Sequence, residues 1–339
     1  MDITNNKINE LFNNFSSQTI MVIGDVMIDS YLWGKVERIS PEAPVPIVSV
    51  NKRENRLGGA ANVALNLLSL GATPILCSVV GTDQKGNDFY EMLESLHLTG
   101  KGIIACDDRV TTTKFRVIGN NAQMLRVDEE TENNISEKDE EKLIKSIRDI
   151  IKNNKINAII FEDYDKGVIT AKVIQETVKT AKEHSIPVIA DPKRKNFNEY
   201  KNITLFKPNL KELKEGTKSD IIKSQSEIDN AVEVLHKNNN IEMIMVTLSD
   251  AGMYISVKDK AVGKTIFKKL IPAHIRNIAD VSGAGDTVIS VASLCLALKQ
   301  EPEIIASISN LAGGLVCEYV GVVPVNKEKL LKEALQMER

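Results

Sequence analysis

Short apolar runs recur along this chain, and helical patterns separate them. The runs are Ile20–Gly24, Pro74–Val80, Ala158–Phe161, Pro187–Ala190, Ile203–Phe206 and Met243–Val246. A strand that is apolar at nearly every position must be buried on both faces. These runs therefore predict a mostly parallel sheet with helices on each side. The intervening segments carry helix signatures. Ser136 with Asp139 three residues later is a capping pattern, and the helix it opens would bury Leu143, Ile144, Ile147, Ile150 and Ile151. Ile8, Leu11, Phe12 and Phe15 give another helical stripe near the N-terminus. The expected fold class is α/β, in three αβα layers.

Two stretches break the rhythm. Tyr31–Asn55 and Thr111–Asp128 alternate apolar with polar residues and contain no helix pattern. Gly119-Asn120-Asn121 reads as a hairpin turn. These stretches predict a small β-layer inserted into the α/β body, placed to cover a ligand or meet a second subunit. It has no core of its own, so residues 1–339 read as a single domain.

Charge and apolar length narrow the function. The net charge is −3, so no basic excess is available for nucleic acid or an anionic membrane. The longest apolar stretches, such as Val288–Leu298, fall short of the roughly 18 residues that span a bilayer. The N-terminus is polar and lacks the apolar core of a secretory signal, so a cytoplasmic address is expected. Cys77, Cys106, Cys295 and Cys317 are scattered without a CxxC pair and read as reduced core residues. The histidines show no metal-ligand spacing.

Three motifs carry chemistry. Asp280-Val-Ser-Gly-Ala-Gly-Asp286 precedes an apolar helix, Thr287–Leu298. Two glycines let the backbone turn tightly, and a helix N-terminus adds positive potential, which suits a phosphoryl group in transfer. A carboxylate at that mouth can take a proton from an attacking hydroxyl. Taken alone, the same residues also fit a glycine-rich turn with Asp286 as a helix cap. Gly58-Gly59-Ala-Ala-Asn62 offers close backbone approach and an amide for hydroxyls, or simply a helix start. Gly24-Asp25-Val-Met-Ile-Asp29 lies at the carboxyl end of the first strand, the edge where open α/β sheets bind ligands. Its aspartates could equally cap a turn. No GxGxxG follows that strand, which argues against a dinucleotide-dependent oxidoreductase.

The order of these elements, with Asn209-x-x-Glu212 between them, resembles the ribokinase-type (PfkB-type) sugar kinases over about residues 20 to 325. The resemblance implies a ribokinase-like fold with a β-lid, ATP and Mg²⁺ as cofactors, and a homodimer formed through the lid. Asp286 would be the catalytic base, and Gly283, Ala284 and Gly285 would supply N–H groups to the transferring phosphoryl. Asn209 and Glu212 would organise Mg²⁺ through water. Lys193, Thr247, Ser249 and Gly252 would lie at the nucleotide, with Ser249 where many members have glycine. Asp25, Asp29, Gly58, Gly59 and Asn62 would hold the sugar. Asp280 would help hold a monovalent cation (K⁺), as in some members.

Within the family, Arg38-Ile-Ser-Pro-Glu-Ala-Pro-Val-Pro46, Asp163-Tyr-Asp-Lys-Gly167 and Asp191-Pro-Lys193 resemble the branch whose acceptor is D-glycero-β-D-manno-heptose 7-phosphate. That acceptor implies cationic partners for its phosphate, and Lys114, Arg116 and Arg126 of the β-layer are the candidates. Asp163 and Lys166 would sit at the active edge. Members of this branch are often fused to an adenylyltransferase with an HxGH motif. No histidine here is followed by x-Gly-His, so the expectation is the kinase portion alone. The alternatives are a sugar kinase for another acceptor, such as fructose 6-phosphate, and a nucleotide-binding protein without activity. The latter would be expected to lack Asp286 or Glu212, and both are present.

Overall fold

A computed structural model of the chain describes residues 5–120, 122–219, 224–259 and 262–337. Among them run strands β1 (Thr19–Gly24), β2 (Val26–Ile39), β3 (Pro46–Gly59), β4 (Thr73–Gly81), β5 (Gly102–Cys106), β6 (Thr113–Gly119), β7 (Ala122–Glu129), β8 (Ala158–Glu162), β9 (Val188–Asp191), β10 (Leu205–Phe206), β11 (Met243–Thr247), β12 (Met253–Asp259) and β13 (Lys264–Ile271).

The larger sheet has the order β13-β12-β11-β10-β9-β8-β1-β4-β5. Every pairing from β11 to β5 is parallel, and β12 and β13 add an antiparallel edge. Alternate residues of each strand enter opposite cores, as the period of two demands. Ile20 and Val22 of β1 join helices Ala60–Ser69, Ala284–Ala297 and Pro302–Val316 on one face. Met21 and Ile23 join helices Glu137–Asn153, Ala171–Glu183 and Gln225–Asn239 on the other. The result is the expected ribokinase-like αβα layering, in which each fully buried Ile, Leu or Val contributes roughly 1.5–3 kcal/mol. Ser136 caps the helix at Glu137 by accepting from Asp139 N, as its pattern predicts. The run Ile203–Phe206 is shorter than expected as a strand, because only Leu205 and Phe206 pair.

The smaller sheet, order β3-β2-β6-β7, is the lid. It reaches further than residues 31–55 and 111–128. Val26, Met27 and Ile28 are buried, like a body strand, yet they pair with Gly59, Gly58 and Leu57 of β3. Only Asp25 separates β1 from β2, so the lid grows directly out of the sheet's central strand. Register gives the lid two unlike faces. Asp29 lies opposite Arg56 and Lys114, and Tyr31 and Arg126 lie opposite Arg116. Leu32, Phe115, Val117, Leu125 and Val127 occupy the other face. Asn120 takes the left-handed conformation (φ 51°) that a hairpin turn requires. Asn121 of that turn lies outside the described residues.

No helix among the described residues is long and apolar enough to cross a membrane. All four cysteines are buried and unpaired.

Candidate active site

The carboxyl ends of the parallel strands meet at one edge. β8 ends at Glu162, β9 at Asp191 and β11 at Thr247, while Lys207 directly follows β10. A cavity of about 960 Å³ opens there. Lys193, Asn209, Thr247, Ser249 and Gly252 line it together with Gly283, Ala284, Gly285 and Asp286. The expected nucleotide and phosphoryl residues thus converge, although they come from four separate segments. Leu248, Met253, Ile278 and Val288 give the same cavity an apolar part.

The helix after the glycine-rich motif starts at Ala284, three residues earlier than expected. Gly283 precedes it at φ 79°, a left-handed conformation that costs a residue with a Cβ about 1–2 kcal/mol. Asp286 therefore lies in the first helical turn rather than at the cap, where the helix's unpaired N–H groups gather. The Ala284 N–H turns back on the Val281 carbonyl at 3.3 Å. Among the described residues no carbonyl takes the N–H groups of Gly285 and Asp286.

Asp286 is 5% exposed. Its Oδ2 accepts from Asn62 Nδ2 at 2.6 Å, and its Oδ1 accepts from the Tyr164 hydroxyl at 2.8 Å. Burial raises its carboxyl above the ordinary range, against the pull of these two hydrogen bonds. Asn62 Oδ1 is buried with no partner among the described residues. A buried acceptor left open beside the base is suited to a ligand hydroxyl.

Around the base lies a buried charge cluster. Lys207 is 3% exposed and pairs with Asp191 Oδ2 at 2.8 Å. Burial alone would lower the Lys207 pKa; the Asp191 and Glu212 carboxylates outweigh that and raise it. Lys193 Nζ donates to Glu212 Oε1 at 2.6 Å, and nearby carboxylates likewise raise its pKa despite burial. Both oxygens of Glu162 are buried, with no hydrogen-bond partner among the described residues. Burial first, then Asp191 and Asp286, push its carboxyl well above the ordinary range. Glu212 Oε2 also accepts from Asn209 N while Asn209 Oδ1 accepts from Glu212 N, a reciprocal cap on helix Leu210–Thr217. With both oxygens engaged, Glu212 fits a hydrated Mg²⁺, reached through water, better than a bare ion.

Several candidates have other work. Asp25 does not face the cavity. It is 1% exposed, and its carboxylate accepts from the backbone N–H groups of Tyr164, Lys166 and Val168. It anchors a loop instead of holding sugar hydroxyls. Gly59, at φ 59°, lets the chain pass Asp25, whose carbonyl would lie 2.3 Å from an added Cβ. Gly58 leaves room for Asp29, whose Oδ2 would lie 2.4 Å from a Cβ there. Asp29 accepts from Arg116 at 2.5 Å. Lys114 is held by Asp128 and Glu130, and Arg126, half exposed, by Asp128. Arg116 thus lies nearest to the candidate sugar residues. Arg56, absent from the sequence reading, flanks Tyr31 opposite Arg116, at 4.9 and 5.4 Å from the ring. Asp163 accepts from Tyr200 and Asn196, and its carboxyl is pushed up to about 6, first by burial and then by Asp25. Lys166 ties the loop to Glu130 at the foot of the lid. Asp280 closes its own loop, accepting from Ser282 and Gly321.

Tyr164, Asp191, Lys207 and Glu162 were not assigned roles from sequence. The signal was there in part: each closes or follows a buried strand at the active edge.

The fold resembles Arabidopsis thaliana ribokinase complexed with ribose and ATP, with a TM-score of 0.69 and 19% identity over 93% of this chain and 99% of that one. It also resembles Escherichia coli phosphofructokinase-2 in complex with potassium, with a TM-score of 0.75 and 16% identity over 94% and 99%. In sequence the chain is 40% identical to the bifunctional protein HldE of Wolinella succinogenes over 303 residues, covering 89% of this chain and 62% of that protein. The HldE of Aliarcobacter butzleri is 39% identical over 304 residues, covering 89% and 61%. The chain thus spans less than two thirds of the length of these relatives. Residues 17–329 match the pfkB carbohydrate kinases, and the chain belongs to that family of phosphotransferases acting on an alcohol group.

Proposed function

We propose that the chain is one kinase domain that transfers the γ-phosphoryl group of ATP to the anomeric hydroxyl of D-glycero-β-D-manno-heptose 7-phosphate, giving the 1,7-bisphosphate. This would be a cytoplasmic step toward ADP-heptose and the lipopolysaccharide core. The observation that carries the kinase reading is Asp286. It is buried, held by Asn62 and Tyr164, and sits in the first turn of a helix beside a cavity with Lys193 and Lys207. The attacking oxygen gives its proton to Asp286 and bonds to the γ-phosphorus, and the bond from that phosphorus to the ADP oxygen breaks. The N–H groups of Gly283 and Gly285, with Lys193, would stabilise the charge that develops, whereas the Ala284 N–H, also expected there, is turned to the Val281 carbonyl. Glu212 and Asn209 would hold Mg²⁺ through water, and the metal would neutralise the ATP phosphates. Thr247, Ser249 and Gly252 would border the nucleotide. A K⁺ ion near Asp280 belongs to the same proposal; the potassium complex of phosphofructokinase-2 is suggestive.

The heptose assignment is supported by the Ser40–Pro46 stretch and by the likeness to the HldE proteins. Asp29, Asn62, Gly58 and Gly59 would border the sugar, and Arg116 with Arg56 would meet the substrate phosphate. The test is phosphate transfer from ATP to a panel of sugars and sugar phosphates, with product positions assigned by NMR. Preferred use of heptose 7-phosphate supports the reading. Equal use of the unphosphorylated heptose, or better use of fructose 6-phosphate, would overturn the acceptor and leave the kinase chemistry standing.

A further inference from the structure

Tyr164 touches both sides of the site. Its hydroxyl donates to Asp286 Oδ1 at 2.8 Å. Its ring faces the Lys193 ammonium, 5.5 Å from the centroid. Its backbone N–H donates to Asp25 Oδ2 at 2.8 Å. One residue thus meets the base, a cation of the phosphate side and a buried carboxylate below.

The loop that carries it is firmly held. Asp25 also accepts from Lys166 N at 3.1 Å and Val168 N at 3.0 Å. Next to Tyr164, Asp163 accepts from the Tyr200 hydroxyl and from Asn196, both at 3.0 Å. A tyrosine on a fixed backbone has only two side-chain torsions to order. Its hydroxyl is therefore well placed before any ligand arrives.

A carboxylate offers about four lone-pair positions. Asn62 takes one on Oδ2 and Tyr164 takes one on Oδ1. Two donors on different oxygens prevent rotation of the carboxylate about its Cβ–Cγ bond. A lone pair on each oxygen stays available for the proton of the attacking hydroxyl. We propose that Tyr164 is a positioning residue for phosphoryl transfer, fixing the plane of the Asp286 carboxylate jointly with Asn62, and that Asp25 acts through it by anchoring the loop. The proposal rests on Asp286 being the base.

It predicts a pH signature. The titratable and charged groups that act on Asp286 are Tyr164, Glu162, Asp191 and Lys207. Burial and Asp191 raise its carboxyl, while Asn62, Tyr164 and Lys207 lower it. Removing the Tyr164 hydroxyl takes away a lowering influence, so the folded-state value rises. The base works only when ionised, so the acid limb of kcat/KM moves to higher pH.

The test is Tyr164→Phe, which keeps the ring and its packing. Expected is a fall in kcat of about ten- to a hundredfold, the loss typical of a hydrogen bond to a charged group. KM for ATP and for the acceptor changes little, and the acid limb moves up. The ¹³C shift of the Asp286 carboxyl, followed against pH without turnover, should show the same rise in midpoint. Asp25→Asn should share the signature, and the double variant should lose less than the two single losses multiplied together, because both act through one contact. If Tyr164→Phe leaves the acid limb and the carboxyl midpoint unmoved, the proposal is wrong, even when kcat falls, since a purely structural role would do that. Asp286→Asn serves as the control. If it is inactive while Tyr164→Phe is normal, only the Tyr164 proposal fails. If it turns over normally, the base assignment beneath it fails.

Discussion

The Asn62 amide that donates to Asp286 comes from 224 residues away in the sequence. Its geometry leaves little freedom for substitution. Asp286→Asn keeps size and polarity but removes the proton acceptor, and it also sets one amide against the amide of Asn62. Loss of a general base typically lowers the rate about 10²–10⁴-fold. We expect kcat to fall in that range while calorimetric ATP affinity stays near normal. The cations proposed for the acceptor's phosphate divide differently from the sequence expectation. Arg116 and Arg56 flank Tyr31 and pair with Asp29 and Glu54, whereas Lys114 and Arg126 converge on Asp128. Arg116→Ala or Arg56→Ala should raise KM for a phosphorylated acceptor roughly 10–100-fold, the range for a lost hydrogen bond to a charged group. KM for ATP should hold, and Lys114→Ala and Arg126→Ala should do much less. Equal effects from all four variants would remove the distinction drawn from their positions around Tyr31.

At the scale of elements, the turn proposed to hold the phosphoryl group depends on one backbone conformation. Gly283 stands at φ 79°, and a Cβ there would lie 3.2 Å from Asn62 Nδ2. Gly283→Ala should cost about 1–2 kcal/mol of stability from the left-handed conformation alone. It should lower kcat by more than that cost implies, because the displaced amide is the one that holds Asp286. Thermal denaturation and kcat measured on the same variant would show whether stability and rate separate. Much of this layer is legible in the sequence. Apolar runs name the strands, and glycine pairs mark the turns, because burial and positive φ each restrict residue choice locally. What stays hidden is pairing across distance. Asp25 and Asp29 look alike in Gly24–Asp29, yet one faces a loop backbone and the other the lid. Lys207 carries no motif of its own, and only the adjacency of β9 and β10 sets it against Asp191. Val26–Ile28 read as body because they are apolar, and only the ladder to Leu57–Gly59 reveals them as lid.

The whole molecule presents an imbalance in its lid. One face is charged, carrying Asp29, Arg56, Lys114 and Arg116, with Arg56 and Tyr31 beside Gly321. The opposite face is largely apolar apart from Arg53 and Asn55, and there Leu125 is 56% and Val127 48% exposed; Val45, just before β3, is 52% exposed. The strands β3 and β7 are also sheet edges, with unpaired backbone groups that invite a partner. A small sheet with an open apolar face and two open edges suits self-association. The expected seam uses Val45, Ile47, Leu125 and Val127. Tyr31 is left out of this seam, because its own chain already buries it to 5% exposure, beside Arg56 and Arg116. We expect a homodimer in sedimentation at micromolar concentration. Leu125→Asp puts a charge into that seam, where a buried apolar side chain contributes roughly 1.5–3 kcal/mol. Association should weaken at least about tenfold for each 1.4 kcal/mol lost. A wild-type chain that sediments only as monomer, or a Leu125→Asp variant as dimeric as wild type, would move the interface away from the lid.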